Sequence, residues 1–318
     1  MTEYIIRRLL LVFPTFILVT MLVFGLIRLM PGDVLFAKIG EGLFAGQREL
    51  DDLRHQMGFD RPIYVQYLDF MGGAVRGDLG RSLWSDKKVS DLILFRLPVT
   101  LELAVLAILT GLSIAIPVGV LSAVRQDTFL DYLLRSIAIG GISIPAFWLG
   151  TLILTFPAIW WGWLPPLRYV QIQDDPLRNL SQFILPALVL GTLLSASVMR
   201  MTRSMMLEVL RQDYVRTARS KGLQERTVIF RHALKNAMLP VWTVVGLQIA
   251  FLIGGTVIIE SIFALPGLGT LLLEAIRVRD WPVIQGLNLF FTAWVLLVNL
   301  AVDIGYGIID PRIRFATE

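Results

Sequence analysis

The chain has no cysteine, only two histidines and little charge for its length. Without cysteine it forms no disulfide and offers neither a thiolate nucleophile nor a cysteine-built zinc site. His55 and His232 are too far apart in sequence for a short metal motif such as HExxH. Charged residues make up 17% of the 318 residues, against about 25% in a typical soluble domain. That is too little polar surface to cover a water-soluble globule of this size.

Apolar residues make up 55% of the chain and are concentrated in six charge-free runs of at least 19 residues. The runs are 9–27, 103–124, 136–167, 179–199, 236–259 and 281–302. A helix needs about 20 apolar residues to cross a bilayer core of about 30 Å. The runs therefore predict an all-α polytopic membrane protein with six transmembrane helices.

The third and the first of these runs each have a feature that a simple span lacks. The third is too long for one span and ends in Trp160, Trp161 and Trp163. It is interpreted as a helix whose last part lies at the membrane–water boundary, where tryptophan collects. The first run could instead be a cleaved signal peptide, but its 19 residues exceed the usual apolar region of about 7–15, and no A-x-A site follows.

Lysine and arginine predict the orientation of the spans. Segments on the side of the termini hold 15 basic residues, and the short segments on the other side hold four. The first loop, 28–102, holds ten more but is too long to count, since only loops shorter than about 60 residues determine orientation. Both termini are therefore predicted to be cytoplasmic, with the long first loop outside.

The outer loop is predicted to contain two short helices. The first covers 49–57 and stops at Gly58, because glycine commonly ends helices. The second starts at Asp60 and Pro62 and places apolar residues on one face. Those residues are Ile63, Tyr64, Tyr67, Leu68, Met71 and Val75. The loop is either a cap on the membrane domain or a docking surface for an extracytoplasmic protein.

The most informative segment is 200–240, which holds nine basic and three acidic residues. Its apolar spacing predicts two short amphipathic helices separated at Gly222, because glycine enters left-handed backbone conformations at low cost. The segment is either a functional element or a positive-inside anchor or contact with acidic lipid. Nucleic acid is not an expected partner, because no aromatic stacking platform or known binding motif is present.

Several polar residues lie in or beside the predicted spans. Glu102 is either a cap on the outer end of the second span or part of a pathway. Asn299 and Asp303 lie near the inner end of the sixth, where buried polar groups are expected to bond other helices or face water. Glu260 is a further candidate for a pathway or helix-packing role.

Strings of residues along nearly the whole chain resemble one family. The central string is Asp213-Tyr214-Val215-Arg216-Thr217-Ala218-Arg219-Ser220-Lys221-Gly222-Leu223, which is similar to the EAA signature of ABC importer permeases. Others are Gly77-Asp78-Leu79-Gly80-Arg81-Ser82, Arg231-His232-Ala233-Leu234-Lys235-Asn236-Ala237 and Leu265-Pro266-Gly267-Leu268-Gly269. The chain resembles the first, B-type permease of the dipeptide/oligopeptide/nickel branch.

The resemblance implies a fold and a division of the chain. The fold is that of a type I ABC importer permease, with a small helical extracytoplasmic insertion after helix 1. Residues 1–30 form the cytoplasmic N-terminus and first span, 31–97 the insertion and 98–310 the permease core. Residues 311–318 form a cytoplasmic tail. The expected location is a prokaryotic inner membrane.

The resemblance also implies that the EAA segment is a coupling helix fitting a groove on a cytoplasmic ATPase. The implied coupling residues are Asp213, Arg216, Thr217, Ala218, Lys221, Gly222, His232 and Asn236. Arg216 and Thr217 replace the first acidic residue and alanine of the consensus. Where the consensus ends in I-x-L-P, this chain has His232-Ala233-Leu234-Lys235, and its proline, Pro240, falls five residues later. Both departures are typical of this branch.

The implied partners are a second related permease, two ATPase subunits or domains, and an extracytoplasmic substrate-binding protein. The chain has no G-x-x-x-x-G-K-[ST] string, so ATP and Mg²⁺ are expected on the partners and no cofactor on this chain. A lone secondary transporter would need charges in mid-span and internal repeats, and a membrane enzyme would need a catalytic motif. Peptides are the expected cargo, with nickel chelates, glutathione and oligosaccharides as alternatives.

Overall fold

A computed structural model describes residues 2–29, 55, 60–166 and 168–309 of the chain. These residues form helices and connecting loops and contain no strand, as the sequence predicts. The helices are α1 Thr2–Leu29, α2 Ile63–Val75, α3 Val89–Val124, α4 Phe129–Ser143, α5 Ala146–Trp161, α6 Pro176–Leu210, α7 Asp213–Ser220, α8 Lys235–Ile262, α9 Leu268–Arg277 and α10 Trp281–Ile309. A helical turn, Glu225–Thr227, and a π-helical segment, Val228–Leu234, lead directly into α8.

Five helical segments in the described ranges are long and apolar enough to cross a membrane, and they include α1, α3, α6, α8 and α10. The sixth crossing is the pair α4 and α5, which are bent by 100° at a short break. Six spans result when this pair counts as one, in agreement with the six predicted runs.

The prediction for the third span was wrong in its form. The span is not one helix with an interfacial end, because the helix is broken at Ile144 and Pro145. Ile144 has an extended backbone, since a residue before proline is pushed out of the helical region. Pro145 is the N-cap residue of α5. The first arm also begins seven residues before the run, at Phe129, where the Thr128 hydroxyl accepts a hydrogen bond from the amide of Asp131.

The centre of the fold is the pair α3 and α6, which run in close contact. A Cβ atom added at Gly191 would lie 2.9 Å from Thr110 Cβ, and one at Gly111 would lie 2.9 Å from the Gly191 carbonyl oxygen. The absence of side chains here lets the two backbones approach closely, as small residues do between membrane helices. Leu103, Phe183 and Ile259 fill the adjoining core between α3, α6 and α8.

The described part of the outer loop includes the second predicted helix, α2, at the predicted start. Its Tyr67 packs edge-on against Phe24 of α1, and the Tyr67 hydroxyl lies 2.9 Å from the Thr20 hydroxyl. Most of the predicted apolar face, including Tyr64 and Leu68, is exposed. The contact with α1 therefore uses one residue of that face. The other predicted helix, 49–57, lies outside the described residues except for His55.

A second outer contact ties the segment before α3 to the start of α10. The Ser82 hydroxyl donates to the Asp280 carboxylate at 2.5 Å, and the Leu83 amide donates to the same carboxylate at 3.1 Å. The Trp84 indole donates to the Val278 carbonyl at 2.7 Å. These bonds fix the outer ends of α3, α9 and α10 relative to one another.

Candidate functional site: the basic segment between α6 and α8

The basic segment is an extension of two spans rather than a free loop. α6 continues to Leu210, well past the predicted end of its apolar run, and α7 follows after a short turn. The predicted break at Gly222 is confirmed, because its φ is +77°. The second predicted amphipathic helix is not separate, since the turn and the π segment run on into α8. A short connection therefore joins each end of α7 to a span, so that a movement of α7 is passed to both spans.

One face of α7 is buried against its own chain. Val215 and Ala218 pack with Val228 of the π segment, and Val209 and Leu210 from the end of α6 complete the cluster. Ala218 is only 6% exposed. Its small side chain lets α7 sit close to its own chain, so it does not offer a surface to a partner. The predicted place of Ala218 among the coupling residues stays a prediction.

The opposite face of α7 is open and mixed in charge. The Asp213 and Arg216 side chains are 95% and 73% exposed and lie 3.5 Å apart. Thr217 and Lys221 are also exposed. Apolar side chains accompany them, with Tyr214, Leu223 and Phe230 between 41% and 56% exposed. An exposed face with both apolar and charged groups is typical of a wet protein interface.

The turn after α7 is closed by backbone and side-chain bonds. The Leu223 amide donates to the Ala218 carbonyl across five residues, as in a Schellman motif. Beside it, the Arg219 guanidinium donates to the Glu225 carboxylate at 2.7 and 3.2 Å. The same carboxylate raises the pKa of Arg219 above its usual value. The turn at Gly222 is therefore fixed on both sides.

His232 and Asn236 connect α7 to the start of α8. The Asn236 side-chain amide donates to the Tyr214 hydroxyl and to the His232 carbonyl, both at 2.9 Å. His232 itself is half-buried within the π segment. π-helical turns occur frequently at functional sites. The structure thus brings these two predicted residues next to α7.

A buried ion pair at the start of this segment was not foreseen. Arg203 of α6 donates to both oxygens of Asp131 of α4, at 2.6 and 2.8 Å, and to the Ser122 hydroxyl of α3. Asp131 is fully buried. In the sequence, Arg203 is one of nine basic residues in the segment 200–240. In the structure, it joins three helices. The available signal was Thr128 followed by Asp131, a spacing close to that of a capping box.

We expect Arg203→Ala to destabilise the fold by about 3–5 kcal/mol, because it leaves the buried Asp131 carboxylate without its cation. The measurement is the thermal unfolding midpoint of the purified protein in detergent. Arg200→Ala is the matched control, since Arg200 lies one turn away and is exposed. Equal midpoints for the two variants would contradict the structural role of the pair.

The remaining predicted polar residues have separate positions. Glu260 is fully buried, and its carboxylate accepts from the Thr100 hydroxyl at 2.7 Å and the Gly269 amide at 2.7 Å. It therefore holds the first turn of α9 against α3. Glu102 is not a helix cap, because α3 begins at Val89, more than three turns earlier.

The inner end of α10 contains the last two of these residues. Asp303 pairs with Arg8 of α1 at 2.9 Å, a contact between two helices, and its role in helix packing stays a prediction. Asn299, one turn before it, makes no side-chain hydrogen bond within the described ranges.

Comparison with known proteins identifies the family. The family described as "Binding-protein-dependent transport system inner membrane component" matches residues 115–315, and the N-terminal family of the same system matches residues 1–104. The chain belongs to this family. Its members are membrane components of transport systems, so the chain is a transport component of the inner membrane.

Curated relatives of this family member align over almost the whole chain. The dipeptide transport system permease protein DppB of Escherichia coli (strain K12) is 40% identical over 342 residues, which cover 99% of each chain. The di/tripeptide transport system permease protein DppB of Pseudomonas aeruginosa (strain UCBPP-PA14) is 41% identical over 334 residues, with the same coverage.

Solved structures show the fold. The inward-facing MetNI methionine ABC transporter matches with a TM-score of 0.57 at 18% identity, over 69% of this chain and 96% of that one. An amino acid ABC transporter matches with a TM-score of 0.51 at 14% identity. The predicted type I ABC importer permease fold is therefore confirmed.

Proposed function

We propose that the chain is the permease subunit of an ATP-driven, binding-protein-dependent importer of small peptides. The cargo class is supported by the two relatives described above, whose names specify dipeptides and di/tripeptides. The mode of transport is supported by the family description. Nickel chelates, glutathione and oligosaccharides are the other cargoes expected from the sequence.

The chain is oriented with both termini in the cytoplasm. Six crossings, with α4 and α5 as one, put α7 on the side of the termini and α2 and α9 on the other. The terminal side holds 15 of the basic residues and the short outer segments four, which favours this orientation. The division into 1–30, 31–97, 98–310 and 311–318 is kept in this proposal.

The open face of α7 docks on a cytoplasmic ATPase subunit. The observation that carries this is the two-sided helix, with Val215 and Ala218 buried in its own chain and the opposite face exposed. A helix held rigidly on one side transmits force from a partner on the other. The residues that meet the ATPase are Asp213, Tyr214, Arg216, Thr217, Lys221, Leu223 and Phe230, while Ala218, Gly222, His232 and Asn236 hold their position.

ATP binding closes the two ATPase units and moves α7. The motion passes to α8 through the π segment and the Asn236–Tyr214 hydrogen bond, and to α6 through Leu210. The spans then change between outward- and inward-facing arrangements. A second related permease supplies the other half of the pathway, and a substrate-binding protein delivers the cargo from outside.

Reconstitution separates this function from that of a lone transporter or channel. We expect liposomes containing the complex of permeases, ATPases and binding protein to accumulate Ala-Ala only when ATP is present. Liposomes containing this chain alone are the control and should accumulate none. Uptake by the chain alone would favour a secondary transporter, and ATP-independent uptake by the complex would contradict the proposal.

A further inference from the structure

Glu102 of α3 carries a carboxylate oxygen with an unusual environment. Its Oε1 atom is buried and has no hydrogen-bond partner within the part of the chain that the structure describes. The side chain of Asn179, in the first turn of α6, lies beside the carboxylate. Tyr169, in the loop before α6, has an electrostatic interaction with it.

The other carboxylates inside the helical body are satisfied. Asp131 pairs with Arg203, Asp303 pairs with Arg8, and Asp280 accepts from Ser82. Glu260 accepts bonds from a hydroxyl and two backbone amides. A buried carboxylate oxygen without a partner is costly, because it has lost water and gained nothing in exchange. Glu102 is therefore built for a group that the described residues do not supply.

The position of Glu102 indicates the source of the group that bonds its free oxygen. Glu102 directly precedes the charge-free run of α3, and Asn179 begins that of α6, so both lie at the outer boundary of their spans. Val105 and Leu109, which share its helical face one and two turns further along, are 53% and 60% exposed. The described residues therefore leave this face of α3 uncovered, with Glu102 at its outer end.

We propose that Glu102 binds a cationic group of the cargo at the outer end of the translocation pathway, namely the ammonium at the N-terminus of a peptide. This rests on the proposed peptide importer. A peptide α-amino group has a pKa of about 8 and is mostly protonated at neutral pH. The Glu102 side chain as a whole is half-exposed, and its carboxylate, once turned toward the cargo, accepts a charge-assisted hydrogen bond from the ammonium. Asn179, whose side-chain amide donates to the Val170 carbonyl at 3.0 Å, lies beside this carboxylate.

The test compares Glu102→Gln with Glu102→Asp in the reconstituted complex, with Ala-Ala as cargo. We expect Glu102→Gln to lower the maximal uptake rate about tenfold, as for the loss of one charge-assisted bond, and Glu102→Asp to retain at least half of the rate. Both variants should assemble with the partners and unfold at the wild-type temperature. Asp174→Asn is the matched control, because it removes an exposed charge from the loop before α6, on the same side of the protein as Glu102.

Three results would overturn the assignment. They are wild-type uptake by the Glu102→Gln variant, an equal loss in both variants, and a loss that follows reduced assembly or melting temperature, which would show a structural role. Failure of the wild-type complex to import any peptide is a different outcome. That outcome would contradict the proposed function and, with it, this inference.

Discussion

Replacing Gly222 with aspartate is expected to leave membrane insertion intact and to abolish substrate-dependent ATP turnover. Gly222 has a φ of +77° and ends α7 on the exposed side of the molecule. Nothing lies within 4 Å of a Cβ atom added there, so the substitution meets no steric clash. It adds a negative charge to the docking face, which is mixed in charge. It also adds a side chain to a left-handed residue, which costs about 1–2 kcal/mol.

Two further substitutions separate these effects. Asparagine has nearly the same shape and tolerance for left-handed backbone as aspartate but no charge, so Gly222→Asn should retain most of the turnover. Gly222→Val tests the backbone, since a β-branched residue is poorly tolerated at positive φ. Turnover is measured in liposomes with and without cargo-loaded binding protein. Normal transport by the aspartate variant would count against α7 as the coupling element.

Replacing Gly267 with alanine is expected to destabilise the protein by about 3 kcal/mol, at the upper end for overpacking a core. A Cβ atom at this position would lie 2.4 Å from the carboxylate of Glu260. That carboxylate cannot move aside, because it is held by Thr100 and by the backbone amides of Gly269 and Thr270. The backbone at Gly267 has a φ of −97°, which other residues adopt as well. Glycine is therefore required by the close contact with Glu260 and not by the backbone conformation.

The measurement for this variant is the unfolding midpoint in detergent together with the yield of membrane-inserted protein. Gly25→Ala is the control, because a Cβ atom there meets nothing within 4 Å and alanine favours a helix more than glycine does. An unchanged midpoint for Gly267→Ala would mean that the α8–α9 corner is looser than the structure indicates.

The spans could be predicted from the sequence because the membrane imposes one simple requirement on length and charge. Any run of about 20 residues without charge satisfies it, and the six runs do so. The end of α7 could also be predicted, because glycine ends helices for a local reason and Gly222 follows the apolar spacing. These features depend on residues close together in the chain.

The break in the third span could not be predicted in the same way. Pro117 and Pro186 lie inside helices that continue past them, and neighbouring membrane helices compensate such prolines. Pro145 therefore carried no distinct signal, although it marks the 100° bend. The sequence pattern did not show which proline ends its helix.

The buried polar contacts were missed because they join distant parts of the chain. Arg203 and Asp131 are 72 residues apart, and Glu260 and Thr100 are 160 apart. A charged residue beside a span predicts which side of the membrane that end of the span lies on. Its ion-pair partner is known only once the helices have packed. The burial of Ala218 has the same origin, since its contacts come from α6 and the π segment.

The central claim, that α7 and its turn dock on a cytoplasmic ATPase, is tested most directly by site-specific cross-linking. Because the chain has no cysteine, Leu223→Cys gives a single attachment site for a photoreactive maleimide on the exposed turn. Ile172→Cys, also exposed and in the loop before α6, is the control at the opposite end. We predict that the thiol of the Leu223→Cys variant reacts only from the cytoplasmic side, in inverted vesicles, and cross-links to a nucleotide-binding subunit, whereas the thiol of the Ile172→Cys variant reacts only from outside. Labelling of the Leu223→Cys variant from outside, or no cross-link from it to an ATPase, would contradict the account.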